Sequence, residues 1–261
     1  MGVINMIDIH CHILPGIDDG PKTLDESLKM ARKAVSEGIK TIIATPHNRN
    51  NQFNNLKEQI IKHVDILNDI LLKEDIPLTI LPGQENRIYG ELLEDYKTNE
   101  IQTIANSEHL FIEFPSSTVP RYAERLLYNL QIQGLTPIIV HPERNKEIIE
   151  NPKIIYSLVK NGALTQITAG SIAGYFGKGI KKFSRQLIEH NLTHFVASDA
   201  HNIQNRSFNM VEAFECIEKE FGLTWSDYFI ENSELLVKNK PIVIYPPNLI
   251  RKKKFLSIFS I

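Results

Sequence analysis

Seven short runs rich in Ile, Val, Phe and Thr recur along the chain, at Met6–His10, Thr41–Thr45, Leu78–Leu81, His109–Phe114, Pro137–His141, Leu164–Thr168 and His194–Ser198. Near-continuous apolar runs of this length are strands buried on both faces, which requires helices above and below them. The intervening segments supply those helices. Over Leu24–Glu37, Thr23 and Glu26 form a T-x-x-E capping box, and Leu24, Leu28, Ala31, Ala34 and Val35 repeat at helical spacing before Gly38. Asn55–Leu72 carries the stripe Ile60, Ile61, Val64, Leu67, Ile70 and Leu71. Further helices are predicted at Tyr122–Gln133, Pro152–Lys160, Ile180–Glu189 and Phe208–Phe221. Strand and helix in alternation predict an α/β fold of parallel strands with helical crossovers, and this many units in 261 residues predict one closed or nearly closed barrel over residues 1–245. Residues 246–261 break the pattern. They hold Arg251-Lys-Lys-Lys254 followed by Phe255, Leu256, Ile258 and Phe259, and read either as a frayed tail or as a contact for a subunit, a partner protein or an anionic membrane surface.

Several classes of function are excluded. With 29 Lys+Arg against 31 Asp+Glu the net charge is −2, so a strongly basic nucleic-acid binder is not expected. No apolar run approaches the ~20 residues of a membrane span. The opening MGVINMIDIH lacks the basic and apolar regions of a secretory signal. Cys11 and Cys216 make no disulfide framework, and neither begins a C-x5-R phosphate loop. P-loop and G-x-S-x-G motifs are absent. A cytoplasmic globular protein is the expectation.

Polar chemistry collects at the strand ends, where a β/α barrel builds its active site. The first strand ends in His10-Cys-His12, the second is followed by His47, the third leads to Glu85, and the fourth holds Glu113. The fifth ends in His141-Pro-Glu-Arg144 and the seventh in Asp199-Ala-His201. Only the sixth, near Thr168-Ala-Gly170, brings no strong ligand. Strand alternation sends the rings of an H-x-H to one face, where a single ion can bind both. Imidazole mixed with carboxylate suits Mn²⁺, Fe²⁺ or Zn²⁺. With Asp19 from the turn-rich loop Leu14–Pro21 there are nine candidate ligands, His10, His12, Asp19, His47, Glu85, Glu113, His141, Asp199 and His201, which is too many for one ion. Two or three ions are expected, as in centres that split phosphate esters. One of Asp18 and Asp19 would ligate while the other caps the turn, and the residues leave open which. Arg49, Arg144 and Arg206 follow the histidines closely enough to hold a phosphate.

These segments resemble the PHP (polymerase and histidinol phosphatase) superfamily, and within it the manganese-dependent bacterial tyrosine-protein phosphatases of the CpsB/YwqE group. The resemblance is carried by Ile7–Pro21, Ala44–His47, Gly83–Glu85, Ile112–Phe114, Val140–Arg144, Ile167–Ser171 and Ala197–Asn202. It implies a distorted (β/α)7 barrel of the PHP type with a trinuclear centre. The first metal would take His10, His12, Glu85 and Asp199, the second Glu85, Glu113 and His141, and the third Asp19, His47 and His201. The resemblance also favours Asp19 over Asp18 as ligand and gives Arg144 and Arg206 to the phosphate. The implied activity is hydrolysis of phosphotyrosine by a metal-activated hydroxide. The implied partner is a bacterial tyrosine autokinase that controls exopolysaccharide or capsule synthesis. Two other functions fit the residues: a small-molecule phosphoesterase such as a histidinol-phosphate phosphatase, and a catalytically silent metal-binding regulatory module.

Overall fold

The computed structural model describes residues 6–251. Nine strands alternate with ten α-helices among them. Every strand pairing is parallel. Strands β1 (Met6–Cys11), β2 (Ile39–Ala44) and β4 (Thr79–Pro82) form one sheet in the order β1-β2-β4. The second runs β3 (His47–Asn48), β5 (Glu85–Arg87), β6 (His109–Glu113), β7 (Thr136–Val140), β8 (Leu164–Thr168) and β9 (Phe195–Ala197). Seven of these coincide with the predicted runs. The segments holding His47 and Glu85, which fall outside the predicted strand runs, form the short strands β3 and β5, which pair with each other. Gly83 lies between β4 and β5 because a Cβ there would stand 2.8 Å from Ile43 Cγ2 and 3.0 Å from Thr45 Cγ2. The far end of the six-stranded sheet returns to β1. Asp199 N–H donates to His10 O at 2.8 Å and His12 N–H to Ala200 O at 2.9 Å.

The strands divide their side chains between two apolar layers. Ile9, Ile43, Phe111, Ile138, Val140, Leu164, Phe195 and Ala197 fill a space inside the strands. Their neighbours Ile42, Ile112, Ile139, Ile167 and Val196 face the helices. There they meet Ala31 and Ala34 of α1 (Leu24–Ser36), Val64 and Leu67 of α2 (Lys57–Lys73), and Leu126, Leu127 and Leu130 of α4 (Ala123–Ile132). The capping box at the start of α1 forms as the sequence predicts. Helices α3 (Leu92–Lys97), α5 (Lys146–Glu150), α6 (Lys153–Lys160), α7 (Ala169–Ala173), α8 (Lys178–Glu189), α9 (Met210–Phe221) and α10 (Leu223–Val237) complete the set. The 15-residue α10 carries no sequence signal of its own. It packs on β1, β9 and α9 together, so its apolar positions form no single stripe.

One irregularity in β1 positions the site. Asp8 pairs with Ile42 and Cys11 with Ala44, so β1 spends three residues where β2 spends two. This bulge changes the strand's phase. Ile7 and Ile9 point inward before it, and Cys11 and Ile13 point toward the helices after it. His10, against Phe111 at 5.1 Å, and His12 therefore both turn to the inner side. Alternation alone, counted from Ile9, would send them outward.

After α10 the chain runs extended. Tyr245 stacks on Tyr228 at 5.0 Å, Asn191 donates to Pro246 O at 2.9 Å, and Ile250 is buried. Residues 246–251 thus lie along the body of the protein. Lys252–Lys254 and the following apolar residues lie outside the described segment.

Candidate metal centre

All nine candidate ligands meet at the C-terminal ends of the strands. His10 Nε2 stands 3.6 Å from Glu85 Oε2 and 3.5 Å from Asp199 Oδ1, and His12 Nε2 stands 3.3 Å from both. His47 Nδ1 is 2.8 Å from Glu85 Oε2 and 3.9 Å from Glu113 Oε2. Asp19 Oδ1 lies 3.3 Å from His47 Nε2 and 3.2 Å from His201 Nε2. His141 Nε2 lies 2.8 Å from Glu85 Oε1. Among the described residues, ligand atoms within 4.8 Å of one another form three groups able to hold a metal: His10, His12 and Glu85; His47, Glu85 and Glu113; and His12, Asp19, His47 and His201. His12 and His47 each belong to two groups, a sharing that the sequence did not suggest.

Six of the atoms facing this cavity pair only as charges, without the geometry of a hydrogen bond. His10 Nε2, His12 Nε2, His47 Nδ1, His201 Nε2, Glu85 Oε2 and Glu113 Oε2 are all buried without one. Orphaned buried polar atoms are rare, and here six converge. The opposite edges of three imidazoles are held. His10 Nδ1 bonds Gln166 Oε1 at 2.9 Å, His12 Nδ1 bonds Asp18 Oδ2 at 2.7 Å, and His201 Nδ1 bonds the Asp199 carbonyl at 2.9 Å. A proton on each Nδ1 leaves the Nε2 lone pair aimed inward, the tautomer and orientation that a metal ligand needs. The donor set fits divalent cations.

Asp18 is the residue that holds rather than faces the cavity. Besides gripping His12, its Oδ1 accepts Gly20 N–H at 2.9 Å and caps the turn. Asp8, on β1, fastens that strand to the loop after β9 through Ser198 N–H at 2.9 Å and Ser198 Oγ at 2.5 Å. Two strand-end residues have strained backbones, His141 at φ 37° and Asp199 at φ 53°. Such conformations cost of order 1–3 kcal/mol each and concentrate at functional sites.

Charges in the cavity answer one another. Burial opposes the charged imidazole of His12, yet Asp18 keeps it well above its ordinary pKa. Burial opposes His47 as well, and Glu85 with Asp19 hold it up at about 10. Burial disfavours the carboxylates of Glu85 and Asp199, but His47 and His10 around the first, and Arg144 and His10 around the second, hold both well below the usual range. Glu113 is lifted to about 7 by burial and then by the Glu85 charge. His141 and His201 are pressed to about 4 by burial and then by Arg144 and His12 respectively.

Of the three arginines, two border the cavity as expected. Arg144 Nη2 lies 2.7 Å from Asp199 Oδ2, and Arg206 reaches Asp19 at 3.2 Å and Asp199 at 3.4 Å. Arg49 does not. Its own φ of 57° turns the chain, and its guanidinium is taken by Asp95 at 2.8 Å and Glu100 at 3.5 Å over the face of Tyr89. The arginine that the sequence reading missed is Arg87 on β5, 3.2 Å from Glu113 Oε1 and on the cavity wall. Asn50 and Gln52 also line this cavity of about 320 Å³.

Residues 6–238 match the family model for capsular polysaccharide synthesis, CpsB/CapC. The chain belongs to the CpsB/CapC family. Among its relatives, the tyrosine-protein phosphatase YwqE of Bacillus subtilis is 51% identical over 97% of this chain and all of its own length. The putative tyrosine-protein phosphatase CapC of Staphylococcus aureus is 40% identical over 95% of this chain and 98% of its own. The fold superposes with TM-score 0.93 and 51% identity, over 95% of this chain and all of the other, on a solved structure. That structure comes from work on YwqE from Bacillus subtilis and CpsB from Streptococcus pneumoniae, described there as unique metal-dependent tyrosine phosphatases.

Proposed function

We propose that this chain is a metal-dependent tyrosine-protein phosphatase built on a distorted (β/α)7 barrel of the PHP type. The observation that carries the reading is the convergence of six orphaned imidazole and carboxylate atoms beside two arginines. Its seven staves would be β1, β2 continued by β3, β4 continued by β5, and β6 to β9, closed where the loop after β9 meets β1. In this reading His10, His12, Glu85 and Asp199 hold a first metal, Glu85, Glu113 and His141 a second, and Asp19, His47 and His201 a third. Mn²⁺ is the leading ion and Fe²⁺ or Zn²⁺ would suit the same donors. Bound there, divalent ions would lower the pKa of coordinated water toward neutrality and neutralise phosphoryl charge.

The protein's own groups do the remaining work. Arg144 and Arg206 orient the phosphoryl group and stabilise charge on its equatorial oxygens. Burial of the centre among apolar strands strengthens both contacts. The tyrosine phenolate, with a pKa of ~10 for its acid, departs without a strong general acid. The substrate would be a phosphotyrosine protein in the cytoplasm, with a bacterial tyrosine autokinase of capsule synthesis as the partner. The barrel would occupy residues 1–245 and the basic, aromatic tail 246–261.

The test is hydrolysis of a phosphotyrosine peptide and of histidinol phosphate, side by side, after chelation and again with Mn²⁺ restored. Metal-restored turnover that favours the peptide is expected. Preference for histidinol phosphate would replace the substrate class, and no turnover with metal bound would leave a silent module.

A further inference from the structure

The metal cavity shares a wall with a second recess of about 270 Å³. Glu113, His141 and Arg144 border both spaces. The linings differ in chemistry. Around the metal cavity every residue is charged, an imidazole or an amide. The recess adds Phe114 at the end of β6, Val140 at the end of β7, and Pro142, all three buried. Ser116 stands exposed at its edge. Its walls are pinned together. Asn145 Nδ2 donates to Pro115 O at 2.7 Å and Thr118 O at 3.1 Å, and Lys146 N–H donates to Ser116 O at 2.9 Å. A pre-formed apolar slot opening beside a few convergent polar groups is the common form of a ligand subsite.

We propose that this recess receives the aromatic ring of the substrate phosphotyrosine while its phosphoryl group occupies the metal cavity. The inference rests on the phosphatase reading above and adds where the ring goes. An aryl phosphomonoester joins a flat apolar ring to a dianion through one oxygen. It needs an anion site and an apolar slot sharing one wall, and Arg144 stands in that shared wall. Its guanidinium is fixed by Asp199 on one side and lies 5.5 Å from the Phe176 ring centre. A larger cleft of about 440 Å³, lined by Lys22, Met30 and Ile203 among others, meets the metal site at Asp19 and His201, but neither Arg144 nor Arg206 stands in its wall.

Three variants test it on the metal-loaded enzyme, with metal content measured in each. Ser116→Phe fills the recess from its edge, Phe114→Leu reshapes its apolar wall, and Ile203→Glu alters the larger cleft. The readouts are KM for a phosphotyrosine peptide and competitive inhibition by inorganic phosphate, which needs the metal cavity alone. The expected result is a KM rise on the order of tenfold in Ser116→Phe or Phe114→Leu, the scale of hydrophobic-pocket discrimination. Phosphate inhibition should stay within about twofold of wild type, and Ile203→Glu should leave KM unchanged. An unchanged KM in both recess variants overturns the proposal, as does a parallel loss of phosphate inhibition or a KM rise confined to Ile203→Glu. Failure of the phosphatase reading would look different, since the wild-type protein would not turn over the peptide at all.

Discussion

Asp18 and Asp19 are neighbours with opposite assignments, and the tight turn between His12 and Gly20 makes the difference. Asp18 is buried, bonded to His12 Nδ1 and Gly20 N–H, while Asp19 is half-exposed and turned toward His47 and His201. Removing the carboxylate in Asp18→Ala frees the His12 ring, and Mn²⁺ affinity should fall about 10–100-fold. Calorimetric titration of the metal-free protein measures this, and unchanged affinity would deny Asp18 its orienting role. Arg144→Ala and Arg206→Ala should each lower kcat/KM about 10²–10³-fold at full metal loading, as lost transition-state donors do. Steady-state kinetics within twofold of wild type would remove either residue from the phosphate site. The facing residues were legible because strand-end His, Asp and Glu are conspicuous in an otherwise apolar pattern. Asp18 was legible as a turn cap but not as the partner of His12, and Gln166 and Arg87 were not legible at all, since they act through hydrogen bonds and ion pairs that bridge up to 156 residues of sequence. Arg49 misled because proximity to His47 in sequence says nothing of the acidic pair near α3 that captures it.

Elements were readable wherever one face is apolar and the other wet, as in α1 and α2, or where both faces are buried, as in the longer strands. The two- and three-residue strands β3 and β5 are too short to carry a period. The bulge in β1 leaves no mark in composition, though it decides which side His10 faces. The sixth of the predicted strands, β8, brings no candidate ligand yet anchors the site by another route. Glu143 is wholly buried, and its Oε1 accepts Thr168 N–H at 2.9 Å and Ser171 Oγ at 2.7 Å. It ties the turn between His141 and Arg144 to the start of α7. Glu143→Ala strands both donors, and the expected destabilisation is about 1–3 kcal/mol per unpaired group, with Glu143→Gln recovering most of it. Urea unfolding of the two variants decides the matter, and equal loss in both would mean that charge, not hydrogen bonding, is what the turn requires.

Taken whole, the molecule buries a titratable group far from the metals. His194 is enclosed, accepts Thr165 N–H at Nδ1, and is pressed by burial to about 3. An unfolded chain would protonate this histidine near 6.5. Between about pH 3 and 6.5 the unfolded state therefore binds the extra proton. The stability involved is fully present above pH 6.5 and drains away as pH falls through that window. The slope is up to ~1.4 kcal/mol per pH unit for one proton. His194→Asn should flatten the pH dependence of the unfolding midpoint relative to wild type at equal metal loading, and superimposable curves would rule His194 out. At the same scale, the seam between the loop after β9 and β1 has a consequence for synthesis. His10 and Asp199 are joined there by Asp199 N–H to His10 O. Translation at 5–20 residues per second puts roughly 10–40 s between the appearance of the two. Throughout that interval a nascent chain offers scattered histidines but no assembled cage, so a product that stops short of Asp199 lacks part of the ligand set.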